Sequence, residues 1–334
     1  MSERKRILSG MQPTNDGLHL GNYEGALHNW VNLQETYKLY CCVVDWHALT
    51  TMAEEPEKIA YNSREIAKDY LAAGIDPNIS SVFIQSHVKE HAELHLLLSM
   101  ITPLGWLERV PTYKEKLLTV GTEREAYGLL GYPVLQAADI LLYKPYGVPV
   151  GRDQAPHLEL SREIGRRFNR MYGEVFPEFV NIIPEDELRA KVPGLDADDE
   201  GRLRKMSKSY NNAIFLKDTP DETAKKIKDA FTTPTKMRKT DPGIPEGCAV
   251  CQLLRLYSPT WEVQWNEDRA GIRGCMQNKA ELTEVLNETL RPIRERRAAL
   301  SDSDLDAILA KGATEAREFA AKTMDEVRAA MHFG

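Results

Sequence analysis

Ile7-Leu8-Ser9-Gly10-Met11-Gln12-Pro13-Thr14-Asn15-Asp16-Gly17-Leu18-His19-Leu20-Gly21-Asn22 passes from an apolar start through a turn-rich stretch to the beginning of a helix. Tyr23, Leu27, Trp30, Val31 and Leu33 follow at near-helical spacing, so the segment reads as strand, turn and helix N-terminus. Working outward, residues 39–44 form a continuous apolar run, the mark of a strand buried on both faces. Residues 56–73 are helical, with Ile59, Ile66 and Tyr70 on one face and Gly74 as the stop, and residues 81–85 form the next strand. This β-α-β-α-β order predicts an α/β chain with a doubly wound, Rossmann-like parallel sheet whose ligand lies at the carboxyl ends of the strands. His19, Asp45 and Gln85 fall at that edge.

A second block from 94 to about 150 has helical periodicity broken by Pro103-Leu104-Gly105 and by Gly131-Tyr132-Pro133, and Val148-Pro149-Val150-Gly151 reads as a returning strand. Residues 157–172 form a helix that ends at Gly173. Gly194 and the charged run Asp196-Ala197-Asp198-Asp199-Glu200-Gly201-Arg202 predict a flexible surface loop leading to Lys205-Met206-Ser207-Lys208-Ser209, after which the chain reads as all-helical.

The 334 residues exceed what one core comfortably organises, so two domains are expected. A composition of 42% hydrophobic and 28% charged residues is ordinary for a globular protein. No apolar run has the length of a membrane span, and Met1-Ser2-Glu3-Arg4-Lys5-Arg6 leads into a strand instead of a signal-peptide core, so no membrane association and a cytoplasmic location are expected. The net charge of −7 argues against indiscriminate coating of nucleic acid, though a local basic face can hold one folded RNA. Five cysteines in a chain of this length do not form a disulfide framework, and Cys41-Cys42 reads as two small core residues.

The pentapeptide at 205–209 arises by chance in about one such chain in ten thousand. Two lysines there provide mobile charges for a departing pyrophosphate, and the small serines let backbone N–H groups approach phosphate. Together with His19-Leu20-Gly21-Asn22 it resembles the class I aminoacyl-tRNA synthetases. Four segments narrow the resemblance to the bacterial type of tryptophanyl-tRNA synthetase: Ser9-Gly10-Met11-Gln12-Pro13-Thr14 leading to His19; Val44-Asp45-Trp46-His47-Ala48-Leu49-Thr50; Tyr132-Pro133 through Ala137-Ala138-Asp139-Ile140; and Val148-Pro149-Val150-Gly151-Arg152-Asp153-Gln154.

The resemblance implies ATP-dependent activation of L-tryptophan and its transfer to tRNA(Trp). It places Asp139 against the indole N–H, Tyr132 and Gln154 near the amino group, and Gln12, His47, Leu8 and Gln136 around the same pocket. ATP falls to Gln12, His19, Gly21, Asn22, Lys205, Met206, Ser207 and Lys208, with Lys116 reaching pyrophosphate and Asp153 near the reacting groups. Mg²⁺ is expected to travel with ATP, without a protein-held metal. Residues 1–200 become the catalytic domain, 201–214 the KMSKS loop and 215–334 a helical anticodon-binding domain, in a homodimer.

The chain departs from the family at three points. Asn15-Asp16-Gly17 adds one residue before His19, Gln136 stands where many members have Met, and Leu8 where many have Phe. Gln136 is closer to tyrosyl enzymes, which makes tyrosine the competing substrate. A synthetase-like RNA-binding paralogue and a small nucleotidylyltransferase are the alternative classes; the first has little reason to retain the whole phosphate set, and the second no need of the helical carboxyl-terminal half.

Three further groups carry a bland reading beside a functional one. His87, His91 and His95 share one helix face at metal-ligand spacing. Cys248, Cys251 and Cys275 lie in the region where some tryptophanyl enzymes carry four cysteines around an iron–sulfur cluster; Cys248 and Cys275 match that pattern, but Asp268 and Asn278 occupy the other two places, so no cluster is expected. Lys236, Arg238, Lys239 and the basic run Arg291-Pro292-Ile293-Arg294-Glu295-Arg296-Arg297 are either RNA contacts or solvated turns, Pro292 marking a bend.

Overall fold

The structure, a computed structural model, describes residues 4–110, 126–151, 154–184, 186–233 and 236–333. Strand β1 (Arg6–Met11) runs through the phosphate-type turn into α1, a continuous helix of residues 20–33 whose middle, Tyr23–Leu27, is a π turn. There follow β2 (Lys38–Val43), α2 (Asp45–Met52), α3 (Pro56–Ala73), β3 (Ser81–Ile84) and α4 (Glu90–Ser99). Pro56 opens α3 at a position where its missing N–H costs nothing, and Gly74, at φ +119°, ends it in a conformation that favours glycine. The second half of the layer comprises α5 (Tyr127–Leu142), β4 (Gly147–Pro149), α6 (Ala155–Tyr172) and β5 (Val180–Ile182).

All strands of this sheet are parallel, in the order β3-β2-β1-β4-β5. Alternation along the strands divides the core in two. Ile7, Leu39, Cys41, Val43, Val82 and Ile84 pack on one face; Leu8, Tyr40, Cys42 and Phe83 pack on the other. Adjacent Cys41 and Cys42 therefore face opposite layers as small core residues, and burial pushes both thiols up.

Two expectations change here. Gly131-Tyr132-Pro133 does not break a helix: α5 runs through it, with most of residues 129–142 buried. Proline removes one backbone hydrogen bond, but the apolar packing of this central helix outweighs that local loss. The loop before Lys205 is a short antiparallel hairpin, β6 (Pro193–Ala197) with β7 (Leu203–Lys205). The charged run supplies its turn: Asp198 Oδ1 accepts the N–H groups of Glu200 and Arg202.

Beyond the hairpin lie α7 (Pro220–Asp229), α8 (Ala249–Tyr257), α9 (Trp261–Arg269), α10 (Cys275–Ala299) and α11 (Asp302–Ala330). Helix α10 continues through Pro292. The basic run beside it is committed to the fold: Arg296 donates to Ala72 C=O at 2.6 Å, Arg297 pairs with Glu65 and buried Asp69, and Arg291 pairs with Glu288 and Glu295. Helix α11 returns to the parallel sheet. Its buried stripe of Leu305, Leu309, Gly312, Ala313, Ala316 and Ala320 lies against β3, and Glu315 accepts from Ser81 and Lys38. None of the described helices is long and apolar enough to cross a membrane.

At Gly312 an added Cβ would stand 2.0 Å from the Val82 carbonyl oxygen, so a methyl group there must push α11 off β3. Gly312→Ala is expected to lower the unfolding free energy by about 1–3 kcal/mol in urea titrations. Gly105→Ala, which meets open space, should stay within about 0.5 kcal/mol of the parent.

Candidate functional site

The turn after β1 is held from two sides. Asn62 of α3 donates to the Pro13 carbonyl at 3.0 Å, and Asp69 accepts the Leu18 N–H at 2.7 Å. The additional residue in this turn forms no loose bulge. Asp16 accepts from Lys217 at 2.7 Å and lies 3.6 Å from Lys208, so the turn is tied to the segment that follows the KMSKS pentapeptide.

His19 caps α1 through its Nδ1, which accepts the Asn22 N–H at 3.3 Å, while the Asn22 side chain accepts the His19 N–H at 3.2 Å. An accepting Nδ1 leaves the proton of the neutral ring on Nε2. Burial first, and the nearby Lys205 charge second, depress the His19 pKa to about 4. His19 is therefore a neutral Nε2–H donor at pH 7. Gly21 is needed for close packing: a Cβ there would lie 3.0 Å from the His19 ring and 3.5 Å from Met206.

The two signature segments are sewn together by backbone. Leu20 N–H donates to Ile214 C=O and Leu216 N–H to Leu18 C=O, each at 2.9 Å, with His19 edge-on to Phe215. Met206 is 2% exposed and belongs to the core, whereas its neighbours Lys205 and Lys208 remain at the surface. Asn212 fixes the turn between them: its Oδ1 accepts the Ser207 N–H at 2.7 Å, and its Nδ2 donates to Lys205 C=O and Asp196. Gly194 leaves room for that side chain, since a Cβ would stand 2.0 Å from Asn212 Nδ2.

A cavity opens beside this turn at the carboxyl ends of β1 and β4. Leu8, Gln12, His47, Tyr132, Gln136, Asp139 and Gln154 all line it. The structure thus brings together every residue predicted for the amino-acid pocket, from β1, α2 and α5 and from the connections after β1 and before α6. At its end the Asp139 carboxylate is caged. His47 Nε2 donates to Oδ2 at 3.0 Å, His91 Nδ1 to Oδ1 at 2.7 Å, and Gln85 Nε2 reaches both oxygens at 2.7 and 2.8 Å. Behind His91, its Nε2 meets the Tyr143 hydroxyl at 2.8 Å.

Burial alone would raise the Asp139 carboxyl, but the charge and hydrogen bonds of His91 and His47 hold it well below the usual carboxylate range. Of the cage, His47 and Asp139 itself line the cavity, whereas Gln85 and His91 do not.

Sequence reasoning missed Gln85, His91 and Tyr143 as the supports of Asp139. Their signals were present: Gln85 at the end of a strand, and His91 on the histidine face read as metal-ligand spacing. His87 lies outside α4, in the short turn Gln85–His87, so the three histidines do not share one helix. Asn212 had no signal beyond following the pentapeptide. Lys236 is not an RNA contact; it is 6% exposed and its ammonium lies 3.1 Å from Asp268. Lys116 and Asp153 lie outside the described residues.

The pattern for tRNA synthetases class I (W and Y) matches residues 1–291. Tryptophan–tRNA ligase of Thermotoga maritima is 46% identical, covering 98% of this chain and 99% of its own length, and that of Aquifex aeolicus is 42% identical with the same coverage. Tryptophanyl-tRNA synthetase of Campylobacter jejuni, solved with ADP and tryptophan, superposes with a TM-score of 0.86 at 35% identity, covering 98% of this chain and 99% of that one.

A histidine whose pKa falls from 6.5 to about 4 on folding binds its proton better in the unfolded chain. Its stabilising contribution is complete above pH 6.5 and declines as the pH falls toward 4. Between pH 7 and pH 4 the native chain is expected to lose up to about 3 kcal/mol more unfolding free energy than His19→Gln, measured by urea titration at each pH.

Proposed function

The chain belongs to the class I tRNA synthetases (W and Y), and we propose that it activates L-tryptophan with ATP and transfers it to tRNA(Trp). The observation that carries the tryptophan reading is Asp139: a buried carboxylate on the cavity wall, held ionised and bonded on the cavity side by His47. The indole N–H of tryptophan takes its Oδ2 in place of His47. Phenylalanine has no donor to offer, and a buried carboxylate left short of a partner costs about 1–3 kcal/mol or more.

Tyr132 and Gln154, on the cavity wall, hold the amino group, and Gln12, Leu8 and Gln136 shape the rest of the pocket. ATP lies across the β1 turn against His19, Gly21 and Asn22. The neutral His19 donates its Nε2–H to phosphate without requiring a proton from solution. Mg²⁺ enters bound to the ATP phosphates.

A carboxylate oxygen of tryptophan attacks the α-phosphorus in line, forming the adenylate and breaking the bond to pyrophosphate. Lys205, Lys208 and Lys116 follow the charge that develops on this leaving group, with Met206 and Ser207 fixing the loop. The family resemblance assigns Asp153 a part in the same step. The 2′-hydroxyl of the terminal adenosine of tRNA then attacks the acyl carbon, and AMP leaves. No protein nucleophile takes part.

Residues 1–200 act as the catalytic domain, 201–214 as the KMSKS loop and 215–334 as the helical part that meets the anticodon. The return of α11 to β3 gives the catalytic sheet and the helical region a common core. The enzyme works in the cytoplasm as a homodimer, the commonest closed assembly.

Amino-acid-dependent ATP–pyrophosphate exchange across all twenty amino acids tests the reaction apart from RNA recognition. Stimulation by tryptophan is expected. Stimulation by tyrosine would assign Gln136 the deciding role, and no stimulation would favour an RNA-binding paralogue. Asp139→Asn should reduce kcat/KM for tryptophan by about 30- to 1,000-fold, as expected for the loss of a buried charged hydrogen-bond partner. ATP binding, followed by equilibrium titration, should stay close to the parent; an equal loss of both would exclude Asp139 as the indole partner.

A further inference from the structure

Cys248 caps α8, its sulfur accepting the Cys251 N–H at 3.4 Å. Buried Asn278 donates to Cys251 Sγ at 3.7 Å and to Asp268 Oδ1 at 3.0 Å. The Lys236 ammonium lies 3.1 Å from that same oxygen and donates to the Asp268 carbonyl at 2.9 Å. Cys248 and Cys275 line a small cavity with Lys236, Asp268, Asn278 and Lys279.

All three sulfurs are free thiols; Cys251 is 3% exposed, while the other two are half-buried. This set does not suit an iron–sulfur cluster, which needs four soft ligands. Asn278 instead turns an amide donor toward sulfur, and Lys236 places an ammonium on the carboxylate.

We propose that Cys248 and Cys251 are a thiol–disulfide redox pair, Cys248 the attacking thiolate and Cys251 the resolving thiol, with a peroxide as the oxidant. The two positions fit the roles. Cys248 is only partly buried, at the positive end of a helix with a backbone N–H aimed at its sulfur, and Cys251 is one helical turn inside. The Asp268 charge opposes a Cys248 thiolate, and the Lys236 ammonium, 3.1 Å from that carboxylate, sets a positive charge beside it. A hydrogen bond from the Cys251 thiol, against the opposing effect of burial, holds the Cys248 thiol below its ordinary value, and the same bond pushes Cys251 up. Burial pushes Cys275 up as well.

The Cys248 thiolate attacks one oxygen of hydrogen peroxide. The O–O bond breaks, the departing hydroxide takes a proton to become water, and Cys248 becomes a sulfenic acid. Cys251 then attacks that sulfur and gives up its thiol proton; the S–S bond forms and a second water leaves. The two sulfurs together lose two electrons and peroxide gains them. A dithiol reductant reverses the step by exchange.

The test uses the intact native chain. With no oxidant, iodoacetamide at pH 7 should label Cys248 at least about tenfold faster than Cys275. After peroxide, peptide mass spectrometry of the blocked protein should find a Cys248–Cys251 crosslink, lost on treatment with dithiothreitol. Cys251→Ser should instead leave a Cys248 sulfenic acid that dimedone captures. Equal labelling of Cys248 and Cys275, a Cys248–Cys275 crosslink as the main product, or first oxidation at Cys275 would overturn the proposal. The labelling and crosslink measurements need no variant, so misfolding of Cys251→Ser would not obscure the result.

Discussion

Two backbone hydrogen bonds hold the site in one piece: Leu20 N–H to Ile214 C=O, and Leu216 N–H to Leu18 C=O. They join segments almost two hundred residues apart, and each signature segment is incomplete without the other. The His19 ring is set by the N-cap of α1 on one side and by Phe215 on the other. Met206, packed against Gly21, anchors the pentapeptide in the core so that the lysines on either side can stay at the surface. Backbone bonds suit this task because they fix register to a single residue and pair groups that must be satisfied once buried.

These bonds are buttressed in turn from the carboxyl-terminal helices. Arg297 of α10 pairs with Asp69, whose other oxygen accepts the Leu18 N–H. Asp69 is fully buried and its carboxyl is pushed up to about 6, burial outweighing the guanidinium. A carboxylate kept in such a place is costly, and removing Arg297 alone would leave it largely unpaired. Helix α11 makes the same connection at the sheet edge, where Gly312 allows helix backbone to approach strand backbone. Packed, charged contacts therefore link the helical region to the turn before His19.

The parallel sheet was legible because its signals were local: an apolar run at 39–44, a proline-started and glycine-stopped helix at 56–73, and a turn before His19. The seven pocket residues were legible only through the family resemblance, since nothing in their spacing shows that Leu8, His47, Tyr132 and Gln154 share a cavity. What stayed hidden was long-range pairing of polar groups. Lys236 and Arg297 read as surface cations because charge is ordinarily solvated, and only tertiary structure reveals Asp268 and Asp69 beneath them. Gly131-Tyr132-Pro133 misled for the converse reason, a strong local breaker overridden by burial.

If Asp139 meets the indole N–H as proposed, the cage around it gives a cavity of modest polarity the means to select one side chain. An ionised carboxylate in a buried site needs donors before any ligand arrives, or it would take up a proton and lose its ability to discriminate. Gln85 and His91 meet that need from behind, and Tyr143 orients His91. His47 supplies the remaining donor from the cavity side. A ligand that brings its own N–H replaces one hydrogen bond with another at little net cost. A ligand without one must either leave His47 in place, losing room, or displace it and strand an acceptor. On the proposed role of Asp139, selectivity rests on the exchange of a single bond, and its strength depends on how firmly the rear partners hold the carboxylate in position.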